Sequence, residues 1–396
     1  MEDRENLIKY IVISLLGICL ILLGIGLGTR YYNDKKEKEE EVASAIPTPT
    51  ATPSPTPEPT PVVETYEASL FMVGDALLHV PIYYYAQQGD GSYEFSPYFE
   101  YIEPIAKQYD LAYYNQETIL GGTELVLSGY PKFNAPQEYG RDMVEAGFNL
   151  VSTANNHSLD RGEAGIISSE NFWATQEGVV VDGTNKSQEG QDKVKINEVN
   201  GISYAFISYT YGMNGLLPPE GKEYLVNCYE GHVDELLNKI KYGKENADVV
   251  IVAIHWGNEY WTEPSEEQFD LAKQMAEAGA DIIIGNHPHI IQPIEWLNDH
   301  KTICFYALGN FISAQEGDNL AGMMAALKIT KTVTDGEVAI EISDVKADLH
   351  YTYSENYANS RVIPFSKLEG GYYTDMYERL LPIITNLDDS IQIGGF

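Results

Sequence analysis

The sequence predicts a mixed α/β domain carried behind one N-terminal transmembrane helix. Three observations predict it: short apolar runs alternate with helical stretches from Glu67 onward, two hairpin-type dipeptides interrupt that alternation, and an uncharged apolar run precedes it. The apolar runs are SLFMVG, NLVSTA, DVVIVAIH, DIIIG and TICFYALG, lengths that suit buried strands. Helices are expected at 137–146, 163–177, 232–243 and 265–278; the last opens on Pro264-Ser265-Glu266-Glu267, an acidic first turn that suits the helix dipole. Asn200-Gly201 and Asp335-Gly336 each separate two strand-like runs and supply the positive φ angles of a tight hairpin. Strands are therefore expected to be mixed in direction.

From Tyr10 to Leu27 the chain carries no charge, about the minimum length for a spanning helix, and residues 10–28 are read as an uncleaved membrane anchor after a short segment, 1–9. Ala43-Ser44-Ala45 lies too far past the apolar run to be a signal-peptide cleavage site, and bulky Ile18 before Cys19 argues against lipoprotein processing. Residues 29–63 read as a linker, first charged and then Pro/Thr-rich, with 47–61 extended and solvated. The domain is placed at 64–350, with 351–396 as an extension packed on it or trailing from it. Arg4 and Lys9 precede the span and Arg30, Lys35, Lys36 and Lys38 follow it, a count that by itself puts the domain in the cytoplasm. The Pro/Thr linker, of a kind common outside bacterial membranes, argues for the opposite side, and an extracytoplasmic domain is the expectation adopted.

With 44% hydrophobic residues the chain can bury a sizeable core. Asp and Glu outnumber Lys and Arg by 59 to 25, a net charge of −34 that, with no basic patch in the sequence, excludes nucleic acid as a partner. An acidic polymer is not excluded, because salt screens that field beyond roughly 8–10 Å and local groups then decide binding. Cys228 and Cys304, the cysteines outside the apolar run, are read as free buried thiols.

Polar residues gather where apolar strands end, the place where open α/β sheets build their sites. The segments are Val73-Gly74-Asp75 with His79 beyond it, Tyr114-Asn115-Gln116-Glu117, Ala154 to Gly162, Ile254 to Glu259, and Gly285-Asn286-His287-Pro288-His289. Asp75, Glu117, Asn156, His255, His287 and His289 emerge as candidate metal ligands. Carboxylate, amide oxygen and imidazole together suit two adjacent divalent ions of intermediate softness, Mn, Fe or Zn, with a carboxylate between them. Taken singly, an Asp after Gly is more often a turn residue and Asn-Asn-His a helix cap. His287-Pro288-His289 is the stronger signal, since two imidazoles at one strand end are costly to bury unpaired. Trp256, Tyr260 and Trp261 are read as packing residues, and His232, His300 and His350 as surface or structural.

Together with Gly129-Tyr130-Pro131-Lys132-Phe133-Asn134-Ala135-Pro136 and Tyr306-Ala307-Leu308-Gly309-Asn310-Phe311, these segments resemble the CapA family of capsule and poly-γ-glutamate biosynthesis proteins over most of residues 68–315. The resemblance implies a calcineurin-like metallophosphoesterase sandwich of two mixed β-sheets flanked by helices. It implies a setting in capsule synthesis, export or anchoring, with an anionic envelope polymer and synthase or export subunits as partners. Carried over by position, it makes Asp75 and His289 ligands of a first ion, Asn156, His255 and His287 ligands of a second, and Glu117 the bridge. His157 resembles the family's general acid, Asp160 its orienting carboxylate, and Glu259 a supporting group behind the ligands. The chain departs from the usual Asp-x-His opening, with Leu77 where the imidazole would stand and His79 two residues further on, and it has Glu117 where the bridge is usually Asp. The reaction implied is metal-dependent hydrolysis or transfer at a phosphoester, phosphoanhydride or amide; the alternative is a metal-bearing subunit that grips a polyanion without turning it over.

Overall fold

The computed structural model describes residues 2–44 and 62–396, and the Pro/Thr run at 47–61 lies outside them. Glu2–Ser44 is one helix, long and apolar enough over Leu7–Glu39 to cross a membrane. Residues 29–44, expected as the charged start of a linker, are helical instead. Lys and Glu are good helix formers, Lys35 and Glu39 pair one turn apart at 4.0 Å, and no proline occurs before Pro47.

The body that follows contains two sheets. Its strands in chain order are β1 (Val63–Ala76), β2 (Leu111–Asn115), β3 (Leu150–Ser152), β4 (Val180–Asp182), β5 (Ile196–Val199), β6 (Ile202–Thr210), β7 (Val249–His255) and β8 (Ile282–Asn286). They continue with β9 (Ile294–Leu297), β10 (Thr302–Phe305), β11 (Asn310–Ile312), β12 (Ala321–Thr334), β13 (Glu337–Glu355), β14 (Ala358–Pro364) and β15 (Gln392–Ile393). The first sheet runs β14-β13-β12-β1-β2-β3-β4, with β11 beside β1 and β15 beside β13; the second runs β5-β6-β7-β8-β10-β9. Both are mixed. In the first, β1 to β4 are parallel and β12 to β14 antiparallel. In the second, β6, β7, β8 and β10 are parallel and flanked by antiparallel β5 and β9.

The expected hairpins form. Asn200 and Gly201 (φ 49° and 81°) join β5 to β6, and Asp335 and Gly336 (φ 52° and 91°) join β12 to β13. The sheets pack face to face over Leu70, Met72 and Tyr113 from the first and Phe206, Ile251, Ile284 and Phe305 from the second. The helix Glu138–Glu145 covers the outer face of the first sheet through Tyr139 and Met143. Helices Val233–Asn246 and Glu266–Ala278 cover the second, the latter opened by a Ser265–Gln268 capping box. Residues 351–396 are packed on the body: the helix Gly371–Ile384 places Met376, Leu380 and Ile384 in the intersheet core, and β15 pairs with β13. Cys304 is buried, Cys228 half-buried, and both are free.

Two glycines set the strand ends that matter below. A Cβ on Gly74 would lie 1.8 Å from the Gly309 carbonyl oxygen, and one on Gly285 would lie 1.9 Å from that of Tyr306. Only glycine permits those approaches, which hold the ends of β1 and β8 against the chain segment between β10 and β11.

Candidate metal centre

Because β1, β2 and β3 are parallel, their C-terminal ends share one edge; β7 and β8 end on the corresponding edge of the second sheet. The candidate ligands come from these ends. Asp75 closes β1 at a register break against both β2 and β11, and such an irregularity re-aims a side chain. Glu117 follows β2, Asn156 lies in the turn after β3, His255 ends β7, and His287 and His289 follow β8. His287 (φ 99°) and His289 (φ 58°) both take left-handed backbone, at a cost of roughly 1–3 kcal/mol each, a strain typical of functional turns.

The structure brings all six together and buries them. Glu117 Oε1 is 3.6 Å from His255 Nε2 and 3.6 Å from His289 Nε2, and Asp75 Oδ2 is 3.4 Å from His289 Nδ1. His255 Nε2 lies 3.0 Å from Asn156 Oδ1, and the His287 backbone N–H donates to Asp75 Oδ2 at 3.1 Å. Asp75, Glu117 and His289 form one compact donor set, and Glu117, His255 and His287 a second. Glu117 belongs to both, as a bridging residue must.

The donor chemistry fits cations. Both carboxylate oxygens of Glu117 and the Nδ1 of His287 are buried without a hydrogen-bond partner, and a carboxylate left so costs several kcal/mol unless a charge pairs with it. Burial pushes the Glu117 carboxyl well above its ordinary range, with Asp75 adding to the effect and His289 opposing it. Burial holds His255 well below the usual imidazole range, with His287 and His289 contributing, and takes His287 down to about 3. Burial also disfavours a charged His289, but Glu117 and Asp75 outweigh it and raise that imidazole to about 9. Neutral His255 and His287 are in the form that ligates metal, and a divalent ion bound beside Glu117 and His289 would oppose the proton uptake that burial and their mutual contact favour.

Beside this set, His157 Nδ1 lies 2.7 Å from Asp160 Oδ2. Asp160 Oδ2 also accepts the Phe133 backbone N–H at 2.6 Å, and the Phe133 ring stands edge-on to the imidazole at 4.7 Å. Asn155 Oδ1 accepts the His157 N–H at 3.0 Å and Ser158 ties back to Thr153. The imidazole is therefore clamped by its δ nitrogen.

Several expectations shift. His79 belongs to neither donor set: its Nδ1 lies 3.2 Å from the Leu77 carbonyl oxygen, and burial lowers its pKa to about 4. Leu77 is buried and carries no ligating atom. Of the three aromatics read as packing residues, only Trp256 packs, donating its indole N–H to Tyr306 O at 2.8 Å; Tyr260 and Trp261 are 51% and 58% exposed, and the Tyr260 ring lies 6.2 Å from that of His289. Strand continuation buries the residue next to His255, whereas the loop that follows turns outward.

Other residues were not assigned from sequence. Asn115 donates to Asp75 Oδ1 at 2.8 Å, and Asn310 Oδ1 lies 2.9 Å from His289 Nδ1. Both lie in the quoted motifs, and their strand-end positions were the available signal. Asn214, whose Oδ1 accepts from Asn156 at 3.3 Å, and Tyr211, whose ring sits 4.8 Å from His287, come from the loop after β6, which carried none.

A sequence model of the bacterial capsule synthesis protein family PGA_cap matches residues 69–315, more than half of the chain. Over 220 residues the chain is 30% identical to the PGA biosynthesis protein CapA of Bacillus subtilis (strain 168), covering 55% of this chain and 57% of that protein. Over 187 residues it is 33% identical to the capsule biosynthesis protein CapA of Bacillus anthracis, covering 46% and 44%. The chain thus spans about half the length of these relatives. Solved structures with partial likeness include a phosphatase from Mycoplasma pneumoniae (TM-score 0.43, 13% identity, 79% of this chain and 100% of that one). Another is a putative 5'-nucleotidase from Staphylococcus aureus (TM-score 0.41, 14% identity, 80% and 58%).

Proposed function

The chain belongs to the bacterial capsule synthesis protein family PGA_cap, and from that premise we propose that it is a membrane-anchored, extracytoplasmic hydrolase or transferase acting on an envelope polymer or phosphoester with two divalent cations. The observation that carries this reading is Glu117: a buried carboxylate, both oxygens unpartnered, between the imidazoles of His255 and His289. Asp75 and His289 would hold one cation with Glu117, and Asn156, His255 and His287 the other. Divalent cations bound there supply Lewis acidity and lower the pKa of water, the usual source of a nucleophile at neutral pH.

The chain's own groups supply the rest. Asp160 fixes His157 with Nδ1 protonated, so Nε2 is the atom that gives a proton to a leaving oxygen or nitrogen. Phe133 fixes the plane of that ring. Asn115 and Asn310 hold Asp75 and His289 in orientation. The helix Glu2–Ser44 supplies the anchor, and the Pro/Thr segment after it is the basis for placing the domain outside the cytoplasm.

The test uses the full chain in detergent. Elemental analysis after loading with Mn, Fe or Zn should find up to two ions per chain, and the loaded protein should hydrolyse a chromogenic phosphodiester or phosphomonoester. Absence of bound ions under every supplement overturns the reading. Metal content without turnover, together with normal polymer production by cells carrying His157→Ala, replaces it with that of a binding subunit. Protease added to intact protoplasts should release the domain by cutting near residues 40–65; protection of the domain while an outer control is cut would place it in the cytoplasm.

A further inference from the structure

A third donor set adjoins the two above: Glu259, His287 and His289 each offer one ligand atom, all within 4.8 Å of one another. Glu259 differs from every other member of the centre in being exposed, so its carboxylate approaches the histidines from the solvent side. From these contacts we infer that Glu259 is itself a metal ligand, closing the cation centre at its mouth. The inference rests on the two-cation reading of the same site and adds a residue to it.

Local structure holds Glu259 there. The loop after His255 is pinned to the loop of His287 and His289 by two backbone bonds, Trp256 N–H to Asn286 O at 3.2 Å and Tyr260 N–H to Pro288 O at 2.7 Å. Glu259 lies between those two anchor points. Gly257 (φ 81°) allows the turn, since a Cβ there would meet Gln268 Oε1 at 2.4 Å, and Tyr260 takes φ 68° directly after Glu259. Two loops from neighbouring strands are thus tied back to back with Glu259 beside the imidazoles.

Two further observations point to a ligand. His287 Nδ1 is buried, has no partner, and belongs to a residue that this third set shares with the second. The turn after Asp75 contributes no additional donor, because Leu77 is apolar and buried and His79 stands outside all three sets. Charge agrees. Asp75 and Glu117 neutralise only half the charge of two divalent cations, and Glu259 would offset part of the remainder.

The experiment compares the full-length chain with Glu259→Ala and Glu259→Asp, using Co(II) alone as the probe and reading both affinity and the visible d–d spectrum. Because Glu259 is exposed, the variants should melt like the parent in chelator, which checks their folding. If Glu259 ligates, Glu259→Ala lowers Co(II) affinity by about 10- to 100-fold or more for one of the ions and changes the spectrum. Glu259→Asp keeps the charge but shortens the reach, and it should also change the spectrum. Parent-like affinity and spectrum in both variants overturn the inference while leaving the two-cation centre standing. So does lowered affinity in Glu259→Ala with an unchanged spectrum in both, which would mean the carboxylate acts only through its field. A parent chain that binds no Co(II) removes both readings together.

Discussion

The strand ends that carry the candidate site hold two polar clusters that differ in how completely their atoms are partnered. Around His157 the network is closed: Asp160 holds the ring and the Phe133 N–H, Asn155 holds the His157 N–H, and Ser158 bonds Thr153. Around Glu117 it is open, with Glu117 Oε1 and Oε2, Asn115 Oδ1 and His287 Nδ1 buried and unpartnered. Folding alone completes the first cluster, whereas the second keeps buried donor atoms of the kind that hold a cation. A third case keeps this from being a rule about unpartnered atoms in general. His350 is fully buried with neither ring nitrogen bonded, yet it sits singly in the core against Phe311 with no acid beside it. Convergence of several such atoms, rather than the lack of a partner at one, marks a cation site.

The largest expected effect tests the closed cluster. His157→Ala should lower turnover by about 10²–10⁴-fold while elemental analysis finds the parent metal content; loss of metal in this variant would erase the distinction between the clusters. Next comes the open one. Glu117→Met should weaken divalent binding by about 100-fold or more, yet raise the stability of the metal-free protein by about 1–3 kcal/mol because two buried carboxyl oxygens without hydrogen-bond partners are gone. Calorimetric titration and chelator-phase melting measure the two, and a metal-free variant less stable than its parent would show that Glu117 is partnered after all.

His350 supplies a smaller effect of opposite character. Burial takes its pKa from 6.5 to about 3, so the folded state keeps it neutral while the unfolded chain binds a proton below about pH 6.5. Stability should therefore fall as pH drops from 6.5 toward 3, by about 2 kcal/mol at pH 5 from this residue. His350→Leu should flatten that slope in denaturant titrations at pH 7 and pH 5, and an unchanged slope would mean that His350 is not the group responsible. The smallest effect is that of Asp160→Asn, expected to cost about tenfold in turnover, about 1.4 kcal/mol, since His157 remains but its clamp is weakened. A loss equal to that of His157→Ala would make Asp160 as necessary as the imidazole it holds.

The parts legible in the sequence were those that depend on neighbours in sequence. Each candidate ligand follows an apolar run, and period and length alone place a strand end there; the Asn-Gly and Asp-Gly turns and the acidic first turn at Glu266-Glu267 are equally local. Residues joined by loop geometry were not legible. Asn214 and Tyr211 reach the centre from a loop with no pattern of its own, and Glu259, read from the sequence as a supporting group, stands beside His287 and His289 where the Tyr260 N–H bonds Pro288 O. The same limit explains the aromatics: Trp256 and Trp261 are five residues apart, and only the turn between them decides that one is buried and the other exposed. Nor did composition separate the helical residues 29–44 from the Pro/Thr run, because a charged run suits a solvated linker and an exposed helix alike.

The candidate ligands divide between the two sheets, Asp75, Glu117 and Asn156 on one side and His255, His287 and His289 on the other. Cations bound at that seam, as proposed, would act as rivets between the layers, and mass action would then tie the integrity of the sandwich to the ion supply. At a free ion concentration a hundredfold above the dissociation constant, one such site would contribute about 2.7 kcal/mol to the folded state, so the two-cation reading makes the chain more readily degraded by protease in an ion-poor medium.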